Sequence, residues 1–259
     1  KNLSVAFKSI ADEILPQLRR SSLKLTDDVT GKTDAEVAKL AKEDAAKLSV
    51  EELLDAATLT SDLNEKAALY NKATDLYPND LRGWNNLGVV KYQQGNIDDA
   101  ARLFNKALEV EPKCVNASYN AGLCALAKGD LAKAEEFFGK AAGTKGNLSN
   151  ALGTVYILKG DYAKAKTAFG STASNNAALL QILDGNYNGA RNTLAAVAEP
   201  DALTAYLGAV VGARTNNRDA VFSNLKTAVS KESAYKAKAA SDLEFAKFFT
   251  DETFISIVK

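Results

Sequence analysis

The chain has 259 residues, 46% of them hydrophobic, with 32 basic and 32 acidic side chains and a formal net charge of zero. That balance argues against a dedicated nucleic-acid binder, whose affinity would rest on a basic face. Only four prolines and no apolar run near 18 residues point to a helical protein without a membrane span. Histidine is absent, which removes the commonest general base and the commonest metal ligand. Methionine is absent even at position 1, which marks the chain as an expected piece of a longer protein. Any leader or anchor would then lie upstream.

In chain order, Leu3, Phe7, Ile10, Ile14 and Leu18 predict an amphipathic helix that Pro16 interrupts. Leu23, Leu25 and Val29 alternate with polar residues and predict a short strand. A helix followed by a lone strand cannot cover its own edge. Residues 1–30 therefore read as the remnant of a preceding α/β domain. Thr33-x-x-Glu36 and Ser49-x-x-Glu52 predict two capped helix starts. They place a connecting helix in 31–48 and the first helix of an array, spanning 49–231, after it.

From Glu51 to Pro78, Leu53, Tyr70, Ala73 and Pro78 stand in one 34-residue phase with the next unit, while Lys66 occupies the position of a small anchor. That next unit runs from Trp84 to Pro112. Trp84, Leu87 and Tyr92 mark its first helix, Gly88 leaves room for the second, Ala100 is the small residue that faces it, and Phe104 and Ala107 knit one repeat to the next. Pro112 ends the pair. This pattern resembles the tetratricopeptide (TPR) repeat, a helix–turn–helix unit of about 34 residues. The resemblance implies an all-α, right-handed superhelix whose first (A) helices line a concave groove and whose second (B) helices lie outside. Lys91 departs from the pattern, which usually has an aromatic there.

The turn recurs as Gly95-Asn96, Gly129-Asp130, Gly160-Asp161 and Gly185-Asn186, leading to Ala100, Ala134, Ala165 and Ala190. The A-helix pair recurs as Leu87-Gly88, Ala121-Gly122, Leu152-Gly153 and Leu207-Gly208. Gly88 to Gly122 is 34 residues and Gly122 to Gly153 is 31, which shortens the linker Gly143-Thr-Lys-Gly-Asn147; Gly160 to Gly185 is only 25. A last pair runs from Ala202 to Arg214 and from Asp219 to Ser230 across Thr215-Asn216-Asn217, giving about six pairs. In 232–259, Ser241-x-x-Glu244 and Thr250 before Asp251-Glu252 predict capped short helices. Their apolar residues would close the exposed end of the core.

Four further strings extend the resemblance: Ile14-Leu-Pro-Gln-Leu-Arg-Arg-Ser21, Gly31-Lys-Thr-Asp-Ala-Glu36, Ala57-Thr-Leu-Thr60 and Asp242-Leu-Glu-Phe-Ala-Lys-Phe248. Together they resemble TPR lipoproteins of Gram-negative envelopes in which an OmpA-like domain precedes the repeats. The resemblance implies a periplasmic, outer-membrane-associated location. It implies peptidoglycan association through the upstream domain, whose contacting residues are not in this chain.

The residues suggest no catalytic constellation. Without histidine, a serine or cysteine nucleophile would need lysine or a carboxylate as its base, and no such grouping is evident. Cys114 and Cys124 lie ten residues apart, about 15 Å along a helix, beyond the roughly 7 Å a disulfide allows. Both read as unpaired thiols, with Cys124 in the core. Asp27-Asp28, Asp98-Asp99 and Glu135-Glu136 read as solvated helix faces, and Gly143-Thr-Lys-Gly146 lacks phosphate-loop spacing. No metal or cofactor is implied.

The candidate surface is the groove. In the repeat pattern, positions one and five after the Trp face inward: Asn85 and Val89, Tyr119 and Leu123, Asn150 and Thr154. Tyr92 can reach the same surface, and Asn86 and Asn120 follow the pattern's asparagine. Amides with an aromatic suit an extended backbone or a polar ligand. The basic residues of the two-carboxylate clamp found in chaperone-binding repeats are missing, with Asn85, Val89 and Asn150 in their places. The expected function is a non-catalytic scaffold of the cell envelope that holds a peptide or protein, with a glycan- or peptidoglycan-associated module as the alternative and an enzyme as the remote one.

Overall fold

A computed structural model of the protein describes residues 32–143 and 148–259. The helix and strand expected within 1–30, the pair Asp27-Asp28, and Thr144 to Asn147 of the shortened linker lie outside the described residues. Among the described residues every regular element is helical.

A leading helix, α1 (Asp34–Glu43), precedes six antiparallel pairs. These are α2 (Val50–Ala56) with α3 (Leu63–Leu76), α4 (Leu81–Gln93) with α5 (Ile97–Val110), and α6 (Val115–Ala127) with α7 (Leu131–Lys140). Then come α8 (Leu148–Leu158) with α9 (Tyr162–Phe169), α10 (Asn175–Leu183) with α11 (Tyr187–Ala195), and α12 (Ala202–Arg214) with α13 (Arg218–Lys231). The chain closes with α14 (Tyr235–Ser241), a 3-10 turn at Leu243–Phe248 and α15 (Glu252–Val258). Each A helix packs on its own B helix, and each B helix on the next A helix. Successive A helices also touch one another, more closely than successive B helices do, so the A helices form the inner side of the curve.

Local chemistry sets the helix boundaries. Thr33 with Glu36 and Ser49 with Glu52 form reciprocal capping boxes. Asp130 and Asp161 cap α7 and α9, accepting from Lys133 N at 3.1 Å and Lys164 N at 3.0 Å. Those hydrogen bonds from backbone N–H groups hold both carboxyls below the usual aspartate range. In pairs two to five the A-to-B turns pass through left-handed glycines, Gly95, Gly129, Gly160 and Gly185, at φ 73–79°. The last turn uses Asn216 at φ 54° in the same role.

This left-handed residue gives a register for the array and corrects one expected copy of the seat. Seven residues before it in pairs two to four stand Gly88, Gly122 and Gly153. An added Cβ there would come within 2.5–2.6 Å of the rings of Phe104, Phe138 and Phe169. Seven before Asn216 is Ala209, not Gly208, so Leu207-Gly208 is one residue out of phase and is not the fourth copy. Pairs five and six instead join Ala178 to Leu194 and Ala209 to Leu225, all buried in one cluster. A smaller knob lets alanine replace glycine at the seat. In α3, which no glycine turn precedes, the buried small residue is Ala67 rather than position 66. At the end of the chain the caps are Asp242, accepting from Glu244 N at 3.0 Å, and Asp251, accepting from Thr253 N at 2.9 Å. The hydroxyl of Ser241 turns back onto the Ala237 carbonyl instead.

The largest cluster lies at this end, where Phe245, Phe254 and Ile257 join Tyr206, Val221, Phe222 and Leu225. Arg214 with Glu244, and Arg218 with Asp251, tie the closing segments to the last pair.

Candidate functional site

The A helices α4, α6 and α8 carry all eight groove candidates, and each is half-buried rather than core or fully exposed. On α4, Val89 and Tyr92 rest on the cluster built around Phe104 and Cys124. On α6, Tyr119 and Leu123 rest on the cluster around Phe138, with the Tyr119 ring 5.5 Å from the Phe138 ring. Burial, and then the neighbouring Tyr92, push the Tyr119 hydroxyl above its ordinary range.

The amides join neighbouring A helices. Asn120 Nδ2 donates to Asn85 Oδ1 at 3.0 Å, and Asn85 Nδ2 to Asn86 Oδ1 at 3.3 Å. Thr154 donates to the Asn150 carbonyl at 2.7 Å and accepts from Asn176 Nδ2 at 2.7 Å. Asn175 Nδ2 then donates to Asp201 Oδ1, the N-cap of α12, at 3.0 Å. The result is a polar seam along the inner side from α4 to α6 and from α8 to α12. Asn150 Oδ1 is buried, with no hydrogen-bond partner among the described residues.

The inward positions expected from the sequence end at Thr154 and do not include Asn175 and Asn176. The signal was present. The same register that leads from Asn85 to Tyr119 and Asn150 reaches Asn175 after the 25-residue step.

The other candidate chemistry is occupied or buried. Cys124 is 1% exposed, and burial pushes its thiol up to about 11; both cysteines are free thiols. Asp98 pairs with Lys128, Asp99 with Arg102 at 2.9 Å, and Glu136 with Lys140 at 2.6 Å. Glu135 meets Lys159 and accepts from the Tyr156 hydroxyl at 2.9 Å. Trp84 is half-buried, and its indole N–H donates to the Pro78 carbonyl at 2.8 Å. Among the described residues no three His, Cys, Asp or Glu side chains converge on a metal-sized site, and no helix is long and apolar enough to cross a membrane.

A tetratricopeptide repeat family model matches residues 85–149. No curated protein matches the chain. Among solved structures the chain is similar to pilF of Pseudomonas aeruginosa, with a TM-score of 0.61 at 17% identity over 85% of this chain and 100% of that one. It is similar to a tetratricopeptide repeat protein from Parabacteroides merdae, with a TM-score of 0.63 at 18% identity over 87% and 91%. It also overlays a chain of the Cut9–Hcn1 hetero-tetramer of the APC/C, with a TM-score of 0.66 at 15% identity over 86% of this chain and 48% of that one. These likenesses establish an all-helical, TPR-like solenoid.

Proposed function

We propose that the chain is a non-catalytic protein-interaction scaffold whose inner, A-helix surface holds a peptide or protein partner. The observation that carries this reading is the run of half-buried amide and aromatic side chains on successive A helices: Asn85, Tyr92, Tyr119, Asn120 and Asn150. They form a preorganised stripe of donors, acceptors and rings, which suits an extended main chain better than it suits bond-making chemistry. The strings that resemble envelope lipoproteins support a periplasmic, outer-membrane-associated setting for this scaffold. A domain upstream would supply any peptidoglycan contact.

Placement of a photo-crosslinking residue in cells tests the reading. A probe at Val89 on the inner surface is expected to trap a discrete partner, and a probe at the exposed Lys106 on α5 is not. Combining the Val89 probe with Asn85→Ala and Tyr119→Ala should reduce the adduct severalfold while the circular dichroism spectrum is retained. Equal trapping from both positions would reject the inner surface as the partner site.

A further inference from the structure

Beside the end of the seam at Asp201, a cleft of about 680 Å³ opens between α11 and α13 over α12. The register set by Gly95 and Asn216 explains why it is there. In the second pair, Trp84, Leu87 and Leu103 pack together against Tyr70 and fill the inner part of the corresponding wedge, leaving an opening of about 590 Å³ between Pro78, Trp84 and Val110. The residues 121 positions later are Ala205, Gly208 and Asn224. Each is smaller or polar, and all three line the cleft. The three changes extend the opening inward, to Gly208, Val211 and Gly212.

The lining has a definite chemistry. Its floor is apolar, from Leu194, Val211 and the two glycines Gly208 and Gly212. One wall is a stripe of α13 that runs from Asn217 through Asn224 and Thr227 to Lys231. Asn224 lies over Gly208, its Oδ1 3.0 Å from where a Cβ would be, and its amide nitrogen donates to the Ala220 carbonyl at 2.8 Å. That leaves Oδ1 free to accept from a ligand N–H. Arg191, on the opposite wall, is exposed and has no carboxylate in ion-pair range among the described residues. Lys231 Nζ, at the far end, rests on the Pro200 carbonyl at 2.6 Å. Asp201 is the acidic residue of the lining, and it is already held by Thr204 N at 2.8 Å, Thr204 Oγ1 at 2.8 Å and Asn175 Nδ2 at 3.0 Å. The cleft thus offers the uncommitted charge of Arg191 and one free amide acceptor, Asn224 Oδ1, above an apolar floor, since Asn217 Oδ1 already accepts from Ala220 N at 3.0 Å.

We propose that this cleft is a second binding site, separate from the inner surface, for an extended peptide segment that carries an acidic side chain. The wall from Asn217 to Lys231 is about 21 Å long at the helical rise, which matches about six residues of extended chain. Asn224 would meet the main chain, and Arg191 the carboxylate.

The test uses the full chain and fluorescein-labelled hexapeptides, acetylated and amidated at their ends. One set has Asp or Glu at a central position, and a matched set has Asn or Gln there. The acidic set should bind the wild type, with affinity that falls as salt rises. Arg191→Glu and Asn224→Leu are each expected to weaken binding about tenfold, the equivalent of one hydrogen bond or ion pair lost. Gly208→Leu with Asn224→Leu, which rebuilds the filling of the second pair, should abolish binding. Arg191 is exposed, so its variant remains informative even if the refilled variant fails to fold. Asn85→Ala with Tyr119→Ala should bind these peptides as well as the wild type does, so failure of the inner surface and failure of this cleft remain distinguishable. No binding by the wild type, equal binding of the neutral set, binding unaffected by Arg191→Glu, or binding lost only with the inner-surface variant would each overturn the proposal.

Discussion

At the residue scale, the contact between glycine seat and aromatic knob tightly specifies how each pair packs. Phe104, Phe138 and Phe169 are at most 4% exposed, and each ring lies where a Cβ on its glycine would have to be. A backbone seat of this kind cannot relax by rotating a side chain. Gly88→Ala is expected to destabilise by about 1–3 kcal/mol through overpacking, and Phe104→Ala by about 3–5 kcal/mol through the cavity it leaves. Urea unfolding of the two variants measures both. The recurring glycines were legible in the sequence, but their partner was not: the pattern sets Gly88 against Ala100 and Phe104 against the next repeat, whereas the Phe104 ring, 16 residues on, is what meets Gly88. The polar seam was less legible. Asn85 and Asn120 could be named as surface candidates, but nothing in either residue says that the two side chains bond to each other.

At the scale of elements, turn chemistry decides where each pair folds back. Of the six turns within pairs, four use a left-handed glycine and the last uses Asn216, a residue type that tolerates the left-handed region. Asn216 Oδ1 also accepts from Lys247 Nζ at 3.0 Å, which links the turn to the closing segment. Asn216→Val is expected to lower stability by about 1–2 kcal/mol, since a β-branched side chain is strained at this φ. Asn216→Gly should stay near the wild type, and thermal unfolding of the pair separates the two effects. The out-of-phase Leu207-Gly208 has the same origin. The dipeptide looks like a seat, yet the left-handed residue fixes the register, and Ala209 with Leu225 satisfies the packing without a glycine. The caps at Asp242 and Asp251 were misread by one residue for a related reason. Where serine or threonine and aspartate are adjacent, the sequence presents two cap candidates, and packing of the following aromatic residues selects between them.

At the scale of the whole molecule, the array is closed by its own C-terminal segments. Tyr206 is 3% exposed, and its hydroxyl donates to Asp242 Oδ2 at 2.5 Å, which joins α12 to the cap. Burial first, then the Asp242 carboxylate, raises the Tyr206 hydroxyl well above its ordinary value. An acid raised in the folded state contributes stability that is complete below its unfolded pKa, about 10 for tyrosine, and is lost as pH climbs from there through the folded value. Stability should therefore fall above about pH 10, with hydrogen-exchange protection lost first in α12 and the cap. Tyr206→Phe should flatten that alkaline slope, and an unchanged slope would show that other tyrosines govern it. The number of pairs could be read from the spacing of turn glycines and the pattern of the last pair. The outer clefts could not, because they arise from residues that are absent: a wedge of Trp84, Leu87 and Leu103 is conspicuous, while Ala205, Gly208 and Asn224 are unremarkable one by one.

Those truncations also have a mechanical consequence. The neighbouring space between α9 and α11 is open as well, at about 350 Å³, so the outer side of the last three pairs is under-filled while their inner side is pinned by single hydrogen bonds at Thr154 and Asp201. A rod pinned on one side and hollow on the other bends about the pinned side. Bending about the pinned side would widen or narrow the cleft over α12, so the inner and outer faces of these pairs are expected to move in opposition.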